Sequence, residues 1–211
     1  MMTALDEIAF SLGIRDEVPN QILAKKLASS SDSEGIREIA EHLWDKNTNI
    51  QNDCIKVLYE VGENRPDLIE GYTEDFVKLL KSKNNRMVWG AMTAIATIAR
   101  GNPSRLSPYI QDIINSTHSG SVITVDNGIK ALAYIATASD ENHRDVFPFL
   151  LDHLKSCRPK EVPQHAESTW PAVTTRNKDD FIKVLMNRLD DLTPTGISRV
   201  RKVIKQTQAR L

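Results

Sequence analysis

Residues 86–99 read RMVWGAMTAIATIA, and two more stretches carry the same pattern: NIQNDCIKVLYEVG at 49–62 and ITVDNGIKALAYIA at 123–136. Their starts are spaced by 37 residues. In register, Cys54, Ala91 and Gly128 are small, Leu58, Ile95 and Leu132 are large and apolar, and Val61, Ile98 and Ile135 are β-branched. An i, i+4, i+7 spacing of apolar positions marks one buried face of a helix. A small residue at the first of these positions lets a neighbouring helix approach closely. A repeat of this period is the signature of a stacked array of supersecondary units.

Each of these helices is followed by a turn and a second amphipathic segment, at 67–82, 104–116 and 141–156. Pro66 and Pro103 fall at equivalent places after the first helix, where the chain must turn. Tyr72 and Tyr109 recur at the same interval, as do Phe76 and Ile113. No stretch sustains strand alternation, so the expected class is all-α. Upstream, residues 19–30 and 34–46 read as a further helix pair with Ser31 or Ser33 as N-cap. Downstream, 162–173 occupies the first-helix position, with Ala166 at the small site, Trp170 at the large one, and Pro171 bending or ending it. Residues 177–192 supply its partner. A last helix follows, capped by Thr193 or Thr195, with a narrow apolar stripe of Ile197, Val200, Val203, Ile204 and Leu211.

LLKSKNNRMVWGAMTAIATIA, residues 79–99, resembles the HEAT-repeat pattern of paired leucines, a short polar turn and an Ala-rich helix. The resemblance spans about 34–157 and is weaker outside it. It implies an α-α superhelix, a right-handed solenoid of about five helix pairs in a single domain. That domain would comprise N-terminal capping helices (1–47), three regular repeats (48–157), and a divergent repeat with a basic cap helix (158–211). The turn Asp and early Arg common in HEAT repeats are largely missing. Ser82, Asn84 and Val88 stand there in one unit, and Asp45, Asn47 and Gln51 in the preceding one. An armadillo-like assignment therefore stays open.

The chain has 211 residues with 27 Lys and Arg against 28 Asp and Glu, an even balance that argues against a dedicated polyanion binder. Two cysteines, Cys54 and Cys157, make no disulfide framework. The acidic N-terminal stretch lacks the basic start of a signal peptide, and uncharged runs reach only about 13 residues. A soluble, cytoplasmic protein is expected. No HExxH, GxSxG, Gly-rich phosphate loop or GxGxxG occurs. His42, His118, His143, His153 and His165 form no i, i+4 pair among themselves. No metal, cofactor or catalytic residue is expected, with Cys54 read as an inert core thiol and Cys157, after a helix end, as exposed. Asp179–Asp180 suits a helix start, whereas Asp190–Asp191 lies near a helix end and points at a basic neighbour or at water.

In a solenoid the three repeated helices lie side by side on one face, the concave one. Positions 37 apart then form rows: Asn52, Trp89 and Asp126; Lys56, Thr93 and Lys130; Glu60, Thr97 and Tyr134. Aromatic and adaptable polar groups of this kind dominate interaction hot spots. The leading expectation is a non-enzymatic scaffold that binds a protein partner along this ladder. A second surface is basic: residues 155–211 hold 12 Lys and Arg against 6 Asp and Glu, concentrated on the last helix at Arg199, Arg201, Lys202, Lys205 and Arg210. It suits an acidic partner or phosphates, though no aromatic is interleaved. Some HEAT-like DNA glycosylases for alkylated bases use Trp and Asp on the concave face, which invites comparison with Trp89 and Asp126. The alternatives are therefore a nucleic-acid-associated protein or an accessory subunit of an enzyme. The chain is expected to be a monomer or weak homo-oligomer without membrane contact.

Overall fold

The computed structural model describes residues 3–209, and every regular element among them is helical. Eleven α-helices follow in order. They are α1 Val18–Ser30, α2 Ser33–Glu41, α3 Thr48–Asn64, α4 Thr73–Leu79, α5 Asn85–Gly101 and α6 Ile110–Ser119, then α7 Val122–Ile135, α8 Asp140–Ser156, α9 Val162–Thr169, α10 Lys178–Asn187 and α11 Pro194–Gln208. The chain packs as two compact units, Met1–Gly128 and Ile129–Leu211, so the division falls inside α7.

In the first unit, α3 packs between α1 and α5, and α4 lies against α5. The residues read as core are core: Cys54, Leu58 and Val61 of α3 and Ala91, Ile95 and Ile98 of α5 are fully buried. Small residues set how closely the helices meet. A Cβ on Gly90 would sit 2.7 Å from the Ile55 side chain. Gly62 faces the Thr97 hydroxyl, and Gly128 faces Thr117 of α6, both with no room for a methyl group.

The starts of α3 and α5 use the same device 37 residues apart. The Asn47 side chain accepts from the Asn49 N–H and the Asn84 side chain from the Arg86 N–H, both at 3.0 Å. Asn84 Nδ2 also donates to Asn52 Oδ1 at 2.9 Å, tying one repeat to the next. An asparagine link thus stands in the place of the Asp–Arg ladder absent from the turns. The second segments begin later than the periodicity implies. Pro66 and Pro103 open 3₁₀ turns, Pro66–Leu68, Glu70–Tyr72 and Pro103–Tyr109, and α-helix starts only at Thr73 and Ile110. The third has Asp140 at the equivalent place and a Ser139 cap accepting from the Asn142 N–H, so α8 is helical from Asp140. Neither Ser31 nor Ser33 caps α2. Asp32 does so through the Gly35 N–H, while Ser31 adopts the left-handed conformation that ends α1 (φ 51°).

The second unit holds most of α7 with α8 to α11. Ile129, Leu132 and Ile135 are fully buried. Helix α9 lies against α8 and α11, and α10 against α8 and α11. Ala166 is buried, and α9 gives way to a 3₁₀ turn at Trp170, so Pro171 ends the helix. Thr193 caps α11 by accepting from the Gly196 N–H. Val200, Val203 and Ile204 are buried and Ile197 is partly exposed, while Leu211 and Arg210 lie outside the described residues.

Ile95→Ala, in the middle of α5, is expected to lower stability in urea unfolding by about 2–5 kcal/mol, and more than Ile197→Ala. The reverse ranking would show that the repeat register is wrong. Gly128→Ala should destabilise the protein, although Gly to Ala inside a helix ordinarily gains roughly 1 kcal/mol. A raised melting temperature for this variant would contradict the close approach of α6.

Candidate functional site

The segment before α1 is pinned across the N-terminal ends of α3 and α5 by buried polar groups. Asn20 is fully buried, its Oδ1 accepting from the Ala9 N–H at 2.9 Å and its Nδ2 donating to Asp53 Oδ1 at 2.8 Å. The other Asp53 oxygen accepts from the Phe10 N–H at 2.8 Å. Between this segment and the helices runs a groove of about 580 Å³, with Phe10, Ile14, Asp16 and Glu17 on one wall and Asn49, Asn52, Asp53 and Arg86 on the other.

Glu17 is the electrostatic knot of the groove. It pairs with Arg86 and, at 3.2 Å, with Lys56, whose ammonium also meets Glu60 at 2.6 Å. Desolvation raises the Glu17 carboxyl, but the hydrogen bonds from Arg86 and Lys56 and the attraction of both cations outweigh it, leaving the carboxyl below its ordinary range. Burial likewise works against the Lys56 ammonium. Its hydrogen bonds to Glu60, Tyr59 and Glu17 overcome that and hold its pKa above the ordinary lysine range. Beside this network lies an aromatic pair, with the Tyr59 and Trp89 rings tilted at 52° and their centroids 5.8 Å apart. Lys56 Nζ stands 4.9 Å from the Tyr59 ring centre and the Arg86 guanidinium 5.6 Å from that of Trp89, both within cation–π range.

Of the ladder read from the sequence, Asn52 lines this groove, while Trp89 stands beside it against Arg86 and Glu60 is linked to it through Lys56 and Glu17. Thr93 accepts at 3.0 Å from Asn127 Nδ2. Asp126 and Tyr134 are partly exposed, and Lys130 is exposed. Two expected ladder residues are not available to a partner. Lys56 is 6% exposed, because the segment before α1 covers it and brings Glu17 to its ammonium. Thr97 is 3% exposed, turned against Gly62 with its hydroxyl donating to the Ala94 carbonyl at 2.7 Å. Glu17, Tyr59 and Arg86 join the site without having been singled out. Tyr59 lies on the flank of the α3 apolar stripe, and Arg86 precedes Trp89 by one helical turn. Only tertiary folding brings Glu17 to them.

On α11, Arg199 is paired with Glu167 through two hydrogen bonds, at 3.0 and 2.6 Å, while Arg201, Lys202 and Lys205 are exposed. Asp179 and Asp180 sit in the first turn of α10, and Asp191 receives Arg188 at 3.0 Å. Both thiols are buried, including Cys157, which was expected to be exposed. Desolvation, followed by the charges of Asp53, Asp45 and Glu38, drives the Cys54 pKa far upward, and burial raises that of Cys157 despite Arg188. Neither is a poised nucleophile. His143 stacks on Phe147 and its Nε2 lies 3.0 Å from the Ala172 carbonyl. His153, Cys157 and His165, spread over α8, its end and α9, do converge, and among the described residues they form a cluster with the chemistry to hold a metal.

No protein-family model matches the chain, and no curated protein matches it significantly. Solved structures do resemble it. An engineered protein aligns at 17% identity with a TM-score of 0.69, covering 97% of this chain and 95% of that one. A designed armadillo repeat protein in complex with the peptide (KR)4 aligns at 15% identity, TM-score 0.66, over 97% of this chain and 96% of that one. The karyopherin Kap121p bound to the SUMO protease Ulp1p aligns at 16% identity, TM-score 0.62, over 97% of this chain and 22% of that chain. The chain therefore has the all-α armadillo/HEAT-like repeat fold. No helix among the described residues is long and apolar enough to cross a membrane.

Protonating Glu17 should loosen the groove. A carboxyl whose folded pKa is depressed contributes stability above its ordinary value of 4.5 and loses it as pH falls through the folded value. Glu17→Gln should therefore be less stable than wild type at neutral pH and approach it at acid pH well below the ordinary value of 4.5 in denaturant unfolding. An equal difference at both pH values would contradict this role.

Proposed function

We propose that this protein is a non-catalytic interaction module whose α3–α5 face binds an extended polypeptide segment of a partner protein. The observation that carries the reading is the partly exposed Trp89, tilted against Tyr59 and flanked by Arg86, which itself lines a polar groove. Aromatic and arginine side chains are the residue types that most often dominate binding energy. Asn52 adds an amide on the same wall, its oxygen fixed by Asn84, so that its nitrogen can donate to a backbone carbonyl of the bound segment. Opposite charges are already matched through Glu17, Lys56 and Arg86. The partner chemistry this favours is a planar or apolar side chain beside Trp89 rather than a strongly charged tract. Two of the similar structures are complexes, one with a peptide and one with a protein, which supports the choice of ligand class.

Selection from a random-peptide display library, followed by affinity measurement, tests this. Selected peptides should lose at least about tenfold in affinity, roughly 1.4 kcal/mol, on Trp89→Ala and on Asn52→Ala, with helicity at the assay temperature unchanged. Asp126→Arg, in the same row as Asn52 and Trp89, should also weaken binding. No enriched peptide, or binding indifferent to Trp89 and Asn52, would contradict the proposal.

The exposed Arg201, Lys202 and Lys205 on α11 favour a competing reading as a nucleic-acid contact. It requires a gel shift at micromolar protein in low salt that weakens steeply as salt rises.

A further inference from the structure

The geometry points to a metal site in the second unit: His153, Cys157 and His165 form a two-nitrogen, one-sulfur cradle for a borderline or soft d-block cation, with zinc as the natural occupant. One ligand atom from each residue lies within 4.8 Å of the others, and the set contains no carboxylate. His153 and Cys157 are i, i+4 at the C-terminal end of α8, so they share a helix face. His165 arrives from α9 after the chain has turned at Pro159, and its Nδ1 stands 2.9 Å from His153 Nε2. Thiolate and imidazole are the donors zinc prefers, at about 2.3 Å and 2.0–2.1 Å, in a tetrahedron whose fourth place is open or taken by water. A tetrahedron of that size has edges of about 3.3–3.7 Å. The two nitrogens, 2.9 Å apart, must part by a few tenths of an ångström, and the sulfur, 3.9 Å from the Leu154 carbonyl, must turn toward them.

The surroundings favour a fixed frame. Arg188, 9% exposed, donates to the Leu154 carbonyl at 2.6 Å and to the Cys157 carbonyl at 2.8 Å, which locks the last turn of α8 and the position of Cys157. Cys157 and His165 are buried, while His153 is partly exposed and opens the entry side. Its ring also stacks on Phe149, with centroids 6.5 Å apart, which sets its plane. On binding, the thiol gives its proton to solvent and the resulting thiolate forms the metal–sulfur bond, so a dication becomes a singly positive centre. A thiolate and two imidazoles suit zinc and disfavour magnesium and calcium, which take oxygen ligands.

The test uses the full chain, stripped with chelator and kept reduced, titrated with Co²⁺ as a spectroscopic substitute for zinc. One equivalent should produce intense visible d–d bands of a tetrahedral site together with a thiolate-to-cobalt charge-transfer band in the near ultraviolet, and Zn²⁺ should displace both. Cys157→Ser should abolish the charge-transfer band. His153→Gln, at a partly exposed position, should weaken binding at least tenfold. Circular dichroism of the stripped variants separates loss of ligand from loss of fold. Zn²⁺ should also raise the melting temperature of wild type but not of Cys157→Ser. The absence of saturable binding at one equivalent, or a cobalt spectrum unchanged in Cys157→Ser, would reduce the trio to a buried histidine–histidine hydrogen bond and overturn the proposal.

Discussion

The close approach of successive repeat helices is the constraint on which the first unit depends. Gly90 accepts the Ile55 side chain, and Gly62 accepts Thr97, so α3 and α5 meet over small residues on both sides of the contact. Dispersion falls off steeply with distance, and a helix pair held apart by one methyl group loses much of its packing. The same register that seats Ile55 on Gly90 sets Tyr59 against Trp89 and Asn84 against Asn52. Core and surface rows are thus two faces of one spacing. At the end of the unit Gly128 repeats the device against Thr117, with a second helix rather than a first as the neighbour.

The second organising feature is electrostatic. Lys56 projects from α3 into a place that the segment before α1 covers, and a buried ammonium without a partner would be strongly destabilising. Glu17 and Glu60 supply the counter-charges, while Asn20 and Asp53 hold the covering segment through its backbone N–H groups. Because Glu17 also reaches Arg86, the network runs from α3 to α5 and fixes the guanidinium near Trp89. The groove is therefore built largely from groups whose hydrogen bonds are already committed, and the partly exposed Trp89 stands beside its Arg86. That combination favours preorganised recognition, in which little ordering remains to be done on binding.

Much of the fold was legible because a 37-residue period repeats three kinds of position at once: small, large apolar and β-branched. The late starts of α4 and α6 were less legible. A proline at a segment's first position is compatible with an α-helix, and the sequence does not say that Pro66 and Pro103 would open 3₁₀ turns instead. The cap of α2 went to Asp32 rather than to its serine neighbours, since only Asp32 presents its side chain to the Gly35 N–H. The candidate site divides along the same line. Asn52 and Trp89 follow from period and face. The burial of Lys56 depends on Glu17, which lies outside the repeat, and that of Thr97 on a glycine in the preceding helix. The i, i+4 relation of His153 to Cys157 was present in the sequence, but histidines compared only with one another conceal it. His165 joins them only through the turn between α8 and α9.

The proposed polypeptide ligand meets the face bearing Trp89. Trp44, Trp89 and Trp170 provide three indole N–H reporters, one on the proposed face and two elsewhere in the sequence. The most direct test is a two-dimensional nitrogen–proton spectrum recorded as a selected peptide is titrated in, with Trp89→Phe used to assign its resonance. The Trp89 indole signal and the Asn52 side-chain amide should shift progressively to saturation, while the Trp44 and Trp170 signals stay in place. Saturable binding that leaves Trp89 and Asn52 unmoved and instead shifts the backbone amides of Arg201, Lys202 and Lys205 would contradict it.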